Sequence, residues 1–167
     1  MILDASKRMG IELVPKRKQA VIVNLMQLYL YDFTEYLDIS VTDQGLFLPY
    51  PDLDEFWKKR ERKYPHLITF DHRPAGFALI EKMEKTGEAD YYMTEFFVMR
   101  KYRRTGLGTW AATCLFDLYQ GRWKVTQVSN NIPAQAFWRK VIESYTGGRY
   151  DEFIDPVRNN PSQFFNS

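Results

Sequence analysis

Residues 91–99 read as a strand and a helix opens near Gly108; between them stands Arg103-Arg104-Thr105-Gly106-Leu107-Gly108. No other stretch restricts the fold as much. A strand that passes through a basic, glycine-bearing turn into a helix gathers the unpartnered N–H groups of the helix start at one point. The positive end of the helix dipole lies there too. Two glycines let the main chain approach a bulky anion with no Cβ in the way. The stretch therefore predicts a phosphate-bearing ligand, held at the carboxyl end of a central strand in an α/β sheet.

Composition narrows the setting. The chain has 167 residues and is expected to form one domain over residues 1–167. Hydrophobic residues make up 45% and aromatics 16%, enough for a sizeable core. Lys and Arg number 23 against 21 Asp and Glu, a net charge of +2. That balance argues against a nucleic-acid partner or a polybasic membrane anchor. The positive charge gathers locally at Arg100, Lys101, Arg103 and Arg104. One cysteine, Cys114, forbids an intrachain disulfide, and with only His66 and His72 beside it no metal site is expected. Residues 1–10 lack the apolar run of a secretory signal. No apolar stretch approaches the roughly 20 residues of a membrane span. The expected compartment is the cytoplasm.

Patterning predicts a short strand over residues 10–14 and a helix over 19–31, with Val21, Leu25 and Leu28 spaced for burial. Residues 36–50 read as irregular. A helix is expected over 51–63, opened by Pro51 and graded from Asp52 and Asp54 to Lys58, Lys59 and Arg60. Extended runs over 66–70 and 75–83 flank the polar turn 71–74 and form a hairpin. A second turn, Lys85-Thr86-Gly87-Glu88, leads to the 91–99 strand as the third of an antiparallel series. The helix from Gly108 carries Trp110, Ala111, Cys114, Leu115 and Leu118 on one face and is expected to end at Gly121. A short strand over 124–128, a helix over 133–142 and a closing hairpin in 145–167 complete the order. The sum is a mixed, mostly antiparallel sheet of about six or seven strands flanked by about four helices.

Two familiar phosphate loops do not fit. A nucleoside-triphosphatase loop needs lysine after its last glycine, and here Gly108 precedes Thr109. A dinucleotide fingerprint needs a parallel unit, whereas this strand closes an antiparallel series. The stretch Val98-Met99-Arg100-Lys101-Tyr102-Arg103-Arg104-Thr105-Gly106-Leu107-Gly108 instead resembles the cofactor motif of the GNAT N-acetyltransferase superfamily. That motif is a strand ending in valine, an x-Tyr-Arg turn, then Gln/Arg-x-x-Gly-x-Gly/Ala. Asn131-Ile132-Pro133-Ala134-Gln135-Ala136-Phe137-Trp138-Arg139-Lys140 is similar to the family's second motif, Asn-x-x-Ala-x-x-Phe/Leu-Tyr-x-Lys. The first half of the chain carries no diagnostic motif.

The resemblance implies acetyl-CoA as cofactor and an amine acceptor, from a small molecule or a peptide, that attacks the thioester directly. Main-chain amides of Arg103, Arg104, Thr105, Gly106, Leu107, Gly108 and Thr109 would hold the pyrophosphate. The pantetheine arm would run between two splayed strands, along Phe97, Val98 and Met99. Asn131, Ala134 and Phe137 of the second motif would meet it from the other side. A strand N–H near Val98 is placed in the family to stabilise developing oxyanion charge. Arg100 and Lys101 are either solvated or within reach of the 3′-phosphate.

Chemistry asks for more. An alkylamine has a pKa of roughly 10, and only its neutral form is nucleophilic. Glu95, on the central strand, is the candidate general base, directly or through a water. The family often places a tyrosine after the Phe/Leu of its second motif, as proton donor to the departing thiolate. This chain has Trp138 there, and an indole N–H does not serve as an acid. Tyr145 is the candidate substitute and Tyr102 a second. Trp138 also reads as a packing residue, and Cys114 as a small core residue. A non-catalytic acyl-CoA-binding module is the alternative that Trp138 favours. The Phe164-Phe165 tail is a candidate surface for a homodimer.

Overall fold

The structure, a computed structural model, describes residues 1–4, 8–84 and 87–167. Lys85 and Thr86 of the expected second turn lie outside the described residues. Eight strands form one sheet: β1 (Ile2–Asp4), β2 (Met9–Leu13), β3 (Lys63–Phe70), β4 (Arg73–Lys82), β5 (Tyr91–Val98), β6 (Arg122–Thr126), β7 (Asp151–Ile154) and β8 (Pro161–Asn166). Four helices cover it: α1 (Gln19–Phe33), α2 (Glu55–Lys58), α3 (Leu107–Leu118) and α4 (Ile132–Thr146). The strand order is β1-β2-β3-β4-β5-β6-β8-β7. Every neighbouring pair is antiparallel except β5 with β6.

The class is as expected, with one strand more than expected, since β1 is only three residues long. β3, β4 and β5 form the antiparallel series, and Asp71 and His72, both at positive φ, make its first turn. Positive φ at both central residues suits a tight hairpin between right-twisted strands. The expected helix over 51–63 shrinks to the single turn of α2. Asp52 stands at φ 55, and the chain enters β3 at Lys63. α3 stops at Leu118 rather than at Gly121, whose φ of 150 is not that of a helix cap. A Cβ on Gly121 would meet Asp90 Oδ2 at 2.9 Å. Gly147, at φ 64, is the glycine that closes a helix, α4.

The core lies in two layers, one on each sheet face. α1 and α2 cover the first, where Ile22, Leu25, Met26 and Tyr29 repeat at helical spacing over Phe77, Leu79 and Phe97. α3 and α4 cover the second, where Leu107, Ala111, Leu115, Phe116 and Trp138 pack on Ala78, Ile80, Met93 and Trp123. Leu28 and Leu118, expected to face inward, are exposed. Cys114 packs at the margin of the second layer. Phe165 is buried there, and the half-buried Phe164 lies beneath Lys124 and Arg122. Among the described residues no helix is long and apolar enough to cross a membrane.

One buried base makes the fold pH-sensitive. His66 in β3 is 1% exposed, with Nε2 3.2 Å from the Tyr119 hydroxyl and Nδ1 3.3 Å from the Tyr64 carbonyl. Those partners suit the neutral ring, which donates at Nδ1 and accepts at Nε2. Burial pushes its pKa down to about 4. The unfolded chain therefore binds a proton that the folded one refuses between the ordinary value of about 6.5 and that lower one. Stability from this group is complete above the upper value and is lost as pH falls through the window, by up to about 3 kcal/mol. Melting curves from pH 7 to pH 4.5 should show this slope in the native chain and a shallower one in His66→Gln.

Candidate active site

A β-bulge sets the site. β4 and β5 pair Ile80 with Met93 and Leu79 with Glu95, so Thr94 is an extra residue with no opposite number. Strict alternation would put Glu95 on the face of Tyr91 and Met93. The extra residue switches the parity instead, as bulges do. Glu95 and Phe97 then face α1, while Phe96 and Val98 face α4. Among the described residues, Thr94 Oγ1 is the buried side-chain polar atom left without a hydrogen-bond partner.

β5 and β6 also part at this point. Their parallel register covers only Tyr91, Met93 and the residue between them, against Trp123 to Val125. Beyond it the strands diverge, and a cavity of about 470 Å³ opens at the carboxyl end of β5. Phe97 and Val98, the loop residues Arg103, Arg104, Gly106, Gly108 and Thr109, and Asn131, Ala134 and Phe137 of α4 all line it. Met99, Thr105 and Leu107 do not. The Met99 N–H is tied to the Ala75 carbonyl, the Thr105 hydroxyl donates to the Tyr102 carbonyl, and Leu107 is fully buried.

The loop is built to leave N–H groups free. Arg104 at φ 64 and Gly106 at φ 85 turn the chain into α3, which has no side-chain cap. The N–H groups of Leu107, Gly108 and Thr109 have no acceptor within their own helix; that of Leu107 is 3.4 Å from Thr105 Oγ1. Gly108 is packed closely, since a Cβ there would lie 3.3 Å from the Phe137 ring and 3.7 Å from a Val98 methyl. Asn131 caps α4, its Oδ1 accepting from the Ala134 N–H at 3.1 Å, which leaves its amide donor for the cavity. Gln135 fixes the approach to α4 through the carbonyls of Val128 and Ser129.

Two arginines of the basic cluster are already engaged. Arg100 Nε donates to Asp32 at 2.9 Å and the Arg103 guanidinium also pairs with Asp32. Arg103 Nε donates to the Val98 carbonyl at 2.8 Å. That carbonyl is therefore occupied where an arm along β5 would meet it. Asp32 sits in the last turn of α1, the end at which a carboxylate is disfavoured by the dipole. The pairing compensates for it and joins α1 to the loop. An acid at the wrong end of a predicted helix was the available sequence signal for this contact.

Glu95 itself does not line the cavity; Tyr29 does, with Phe33 and Tyr36. The Tyr29 hydroxyl donates to Glu95 Oε2, and the Tyr50 hydroxyl donates to Oε1 at 2.5 Å. Burial raises the Glu95 carboxyl above its ordinary value, and the two phenol donors pull it partly back. Burial and then the Glu95 charge raise both phenols. Tyr145 stands elsewhere: its hydroxyl donates to Asp117 at 2.7 Å, its ring packs on Phe116, and its pKa is raised to about 12 by burial and then by Asp117. Tyr102 is buried in the α3 layer. Trp138 is 6% exposed, edge-on to Phe96 at 5.0 Å, and forms part of the cavity wall.

The Acetyltransferase (GNAT) family matches residues 25–142, from α1 through most of α4. The chain belongs to the GNAT acetyltransferase family. As in other GNAT acetyltransferases the sheet is mixed and mostly antiparallel, and solved members share its fold. An acetyltransferase from Thermus thermophilus is 14% identical with a TM-score of 0.67, over 95% of this chain and 97% of that one. An aminoglycoside acetyltransferase from an uncultured soil metagenomic sample, solved with sisomicin, is 16% identical with a TM-score of 0.60, over 83% and 90%. The ribosomal-protein-S18-alanine N-acetyltransferase from Escherichia coli is 12% identical with a TM-score of 0.58, over 93% and 90%. No curated protein matches the chain. For this GNAT acetyltransferase, the strand parting and the free N–H groups at the start of α3 fit a ligand with a thin arm and a phosphate end.

Proposed function

We propose that this chain moves an acetyl group from acetyl-CoA to a primary amine of a small molecule or peptide. The single observation that carries the reading is the shared cavity. It joins the end of β5 beyond its ladder with β6, the first residues of α3 and of α4, and Tyr29 with Glu95 behind it. Acetyl-CoA supplies the thioester that the amine attacks. Main-chain N–H groups of the loop that line the cavity, with Gly108 and Thr109 at the start of α3, hold the pyrophosphate, and Arg104, the cavity-lining arginine not tied to Asp32, adds charge beside it. The Asn131 amide and the free edge of β5 hold the arm, and a β5 N–H near Val98 faces the developing oxyanion. Glu95 is the proton acceptor for the incoming ammonium, in a site dry enough to raise its basicity. Both acceptor classes have precedent among fold relatives whose names refer to an aminoglycoside and to a ribosomal-protein alanine.

The test is thiol release from acetyl-CoA across a panel of amines, with the native chain and Glu95→Gln. The native chain should release thiol with at least one amine, and Glu95→Gln should lower kcat about 100-fold. Full activity in Glu95→Gln removes the base assignment. Trp138 in the cavity wall favours a second reading, an acyl-CoA-binding module without catalysis. It expects acetyl-CoA to raise the melting temperature while no amine yields thiol.

A further inference from the structure

We infer that the acceptor amine meets the hydroxyl of Tyr29 rather than the Glu95 carboxylate, and that Glu95 takes the amine's proton through that hydroxyl. The inference rests on the N-acetyltransferase reading and names the group that reading leaves open. Three observations carry it. Tyr29 lines the cavity and Glu95 does not. Each carboxylate oxygen already accepts from a phenol, Oε2 from Tyr29 and Oε1 from Tyr50, so Tyr29 is the carboxylate's hydrogen-bonded link to the cavity wall. The Tyr29 ring is held by Phe33 at 4.6 Å and by Phe77 and Phe97 at 5.6 Å each, which leaves it little room to move aside.

A phenol hydroxyl has one proton and two lone pairs. Tyr29 gives its proton to Glu95, so its lone pairs remain for a donor, and an ammonium is such a donor. In the transfer, one ammonium N–H bond breaks and its proton passes to the Tyr29 oxygen. The original Tyr29 O–H proton passes to Glu95 Oε2. Ammonium and carboxylate become amine and carboxylic acid, and the phenol is regenerated unchanged. The nitrogen keeps the electron pair with which it attacks the thioester. Phe33, Tyr36 and Phe97, which share the wall with Tyr29, offer aromatic faces to the cation before it loses its proton.

Tyr50 holds the same carboxylate but does not line the cavity, so it supports the acceptor without touching the amine. The groups facing Glu95 are Tyr29 from α1, Tyr50 from the segment before α2 and, at longer range, Tyr92 on β5 itself. Among the described residues no ion pair reaches it. The Tyr50 donor favours the ionised carboxylate. Its loss therefore shifts the proton equilibrium of Glu95 toward the neutral acid and moves the acid limb of activity to higher pH.

The test compares two nucleophiles, an alkylamine that turns over in the panel and hydroxylamine, which is uncharged at neutral pH and needs no base. Tyr29→Phe keeps the ring and its packing. It is expected to lose about 100-fold in kcat with the alkylamine and less than about threefold with hydroxylamine, with KM for acetyl-CoA unchanged. Tyr50→Phe should displace the acid limb of the pH profile upward, a shift that a purely structural role would not produce. Alkylamine turnover retained in Tyr29→Phe overturns the inference and leaves the acetyltransferase reading in place. Equal losses with both nucleophiles overturn it too, since a packing role would not distinguish them. A native chain that binds acetyl-CoA but transfers to no nucleophile overturns the acetyltransferase reading and the inference with it.

Discussion

Gly76→Ala is expected to lower the melting temperature by roughly 10 °C, the largest stability loss among single-methyl additions to this sheet. Gly76 pairs with Val98 across β4 and β5. A Cβ there would stand 2.0 Å from the Phe97 carbonyl oxygen and 3.0 Å from the Val98 Cα. These are main-chain atoms, so no rotamer change relieves the contact. The strands would have to separate where β5 forms the cavity wall, and the adjoining bond from Met99 N–H to the Ala75 carbonyl would strain with them. Overpacking against backbone at this distance is worth about 4 kcal/mol. A domain of this size loses roughly 2–4 °C per kcal/mol. Thermal melts followed by circular dichroism measure the effect, and a variant that melts with the native chain would refute the close approach.

Gly108→Val should do the reverse, sparing the fold and removing the ligand. Gly108 lies in the first turn of α3, where valine is no worse for helix formation than glycine. Its Cβ would meet the edge of the half-buried Phe137 ring, a side chain that can give by a few tenths of an ångström. The γ-methyls, however, enter the gap between Val98 and Phe137, both of which line the cavity. A phosphate displaced from the start of α3 would forfeit about two charge-assisted hydrogen bonds, together about 4 kcal/mol. That is about a thousandfold in Kd. Titration calorimetry with acetyl-CoA should show this loss alongside a melting temperature within a few degrees of native. Undiminished affinity would remove Gly108 from the binding surface.

The loop and the second motif could be read from sequence because their signals are local. Glycine at positive φ, proline opening α4 and asparagine capping it act within a few residues of where they stand. The first half of the chain was harder because its contacts are not local. Tyr50 reaches Glu95 across 45 positions, and Asp32 reaches Arg103 across 71. Glu95 could be named as an ionisable group on a central strand. Its orientation could not, because Thr94 breaks the alternation on which any such reading depends. Tyr145 stands apart from the cavity for a related reason. Proximity in sequence to the second motif said nothing of its place on α4, which turns its hydroxyl to Asp117. In the aromatic run from Tyr29 to Tyr36, nothing local marks Tyr29 as the phenol that touches a carboxylate.

The parting of β5 from β6 puts a strand edge in the interior of a sheet. Edges at a sheet's perimeter invite pairing by other chains, and proteins commonly blunt them with charge, proline or twist. Here the ladder stops at Met93 and Val125, and what lies beyond is guarded by thickness instead. A polypeptide strand carries side chains toward both faces. On one face Phe96, Phe137 and Trp138 already fill the layer, and on the other Phe97, Phe77 and Tyr29 do. A slit between two aromatic layers suits the slender arm proposed for the ligand better than a peptide strand, which needs room for side chains on both faces. The same gap that is proposed to take the ligand thus disfavours the recruitment of a ninth strand.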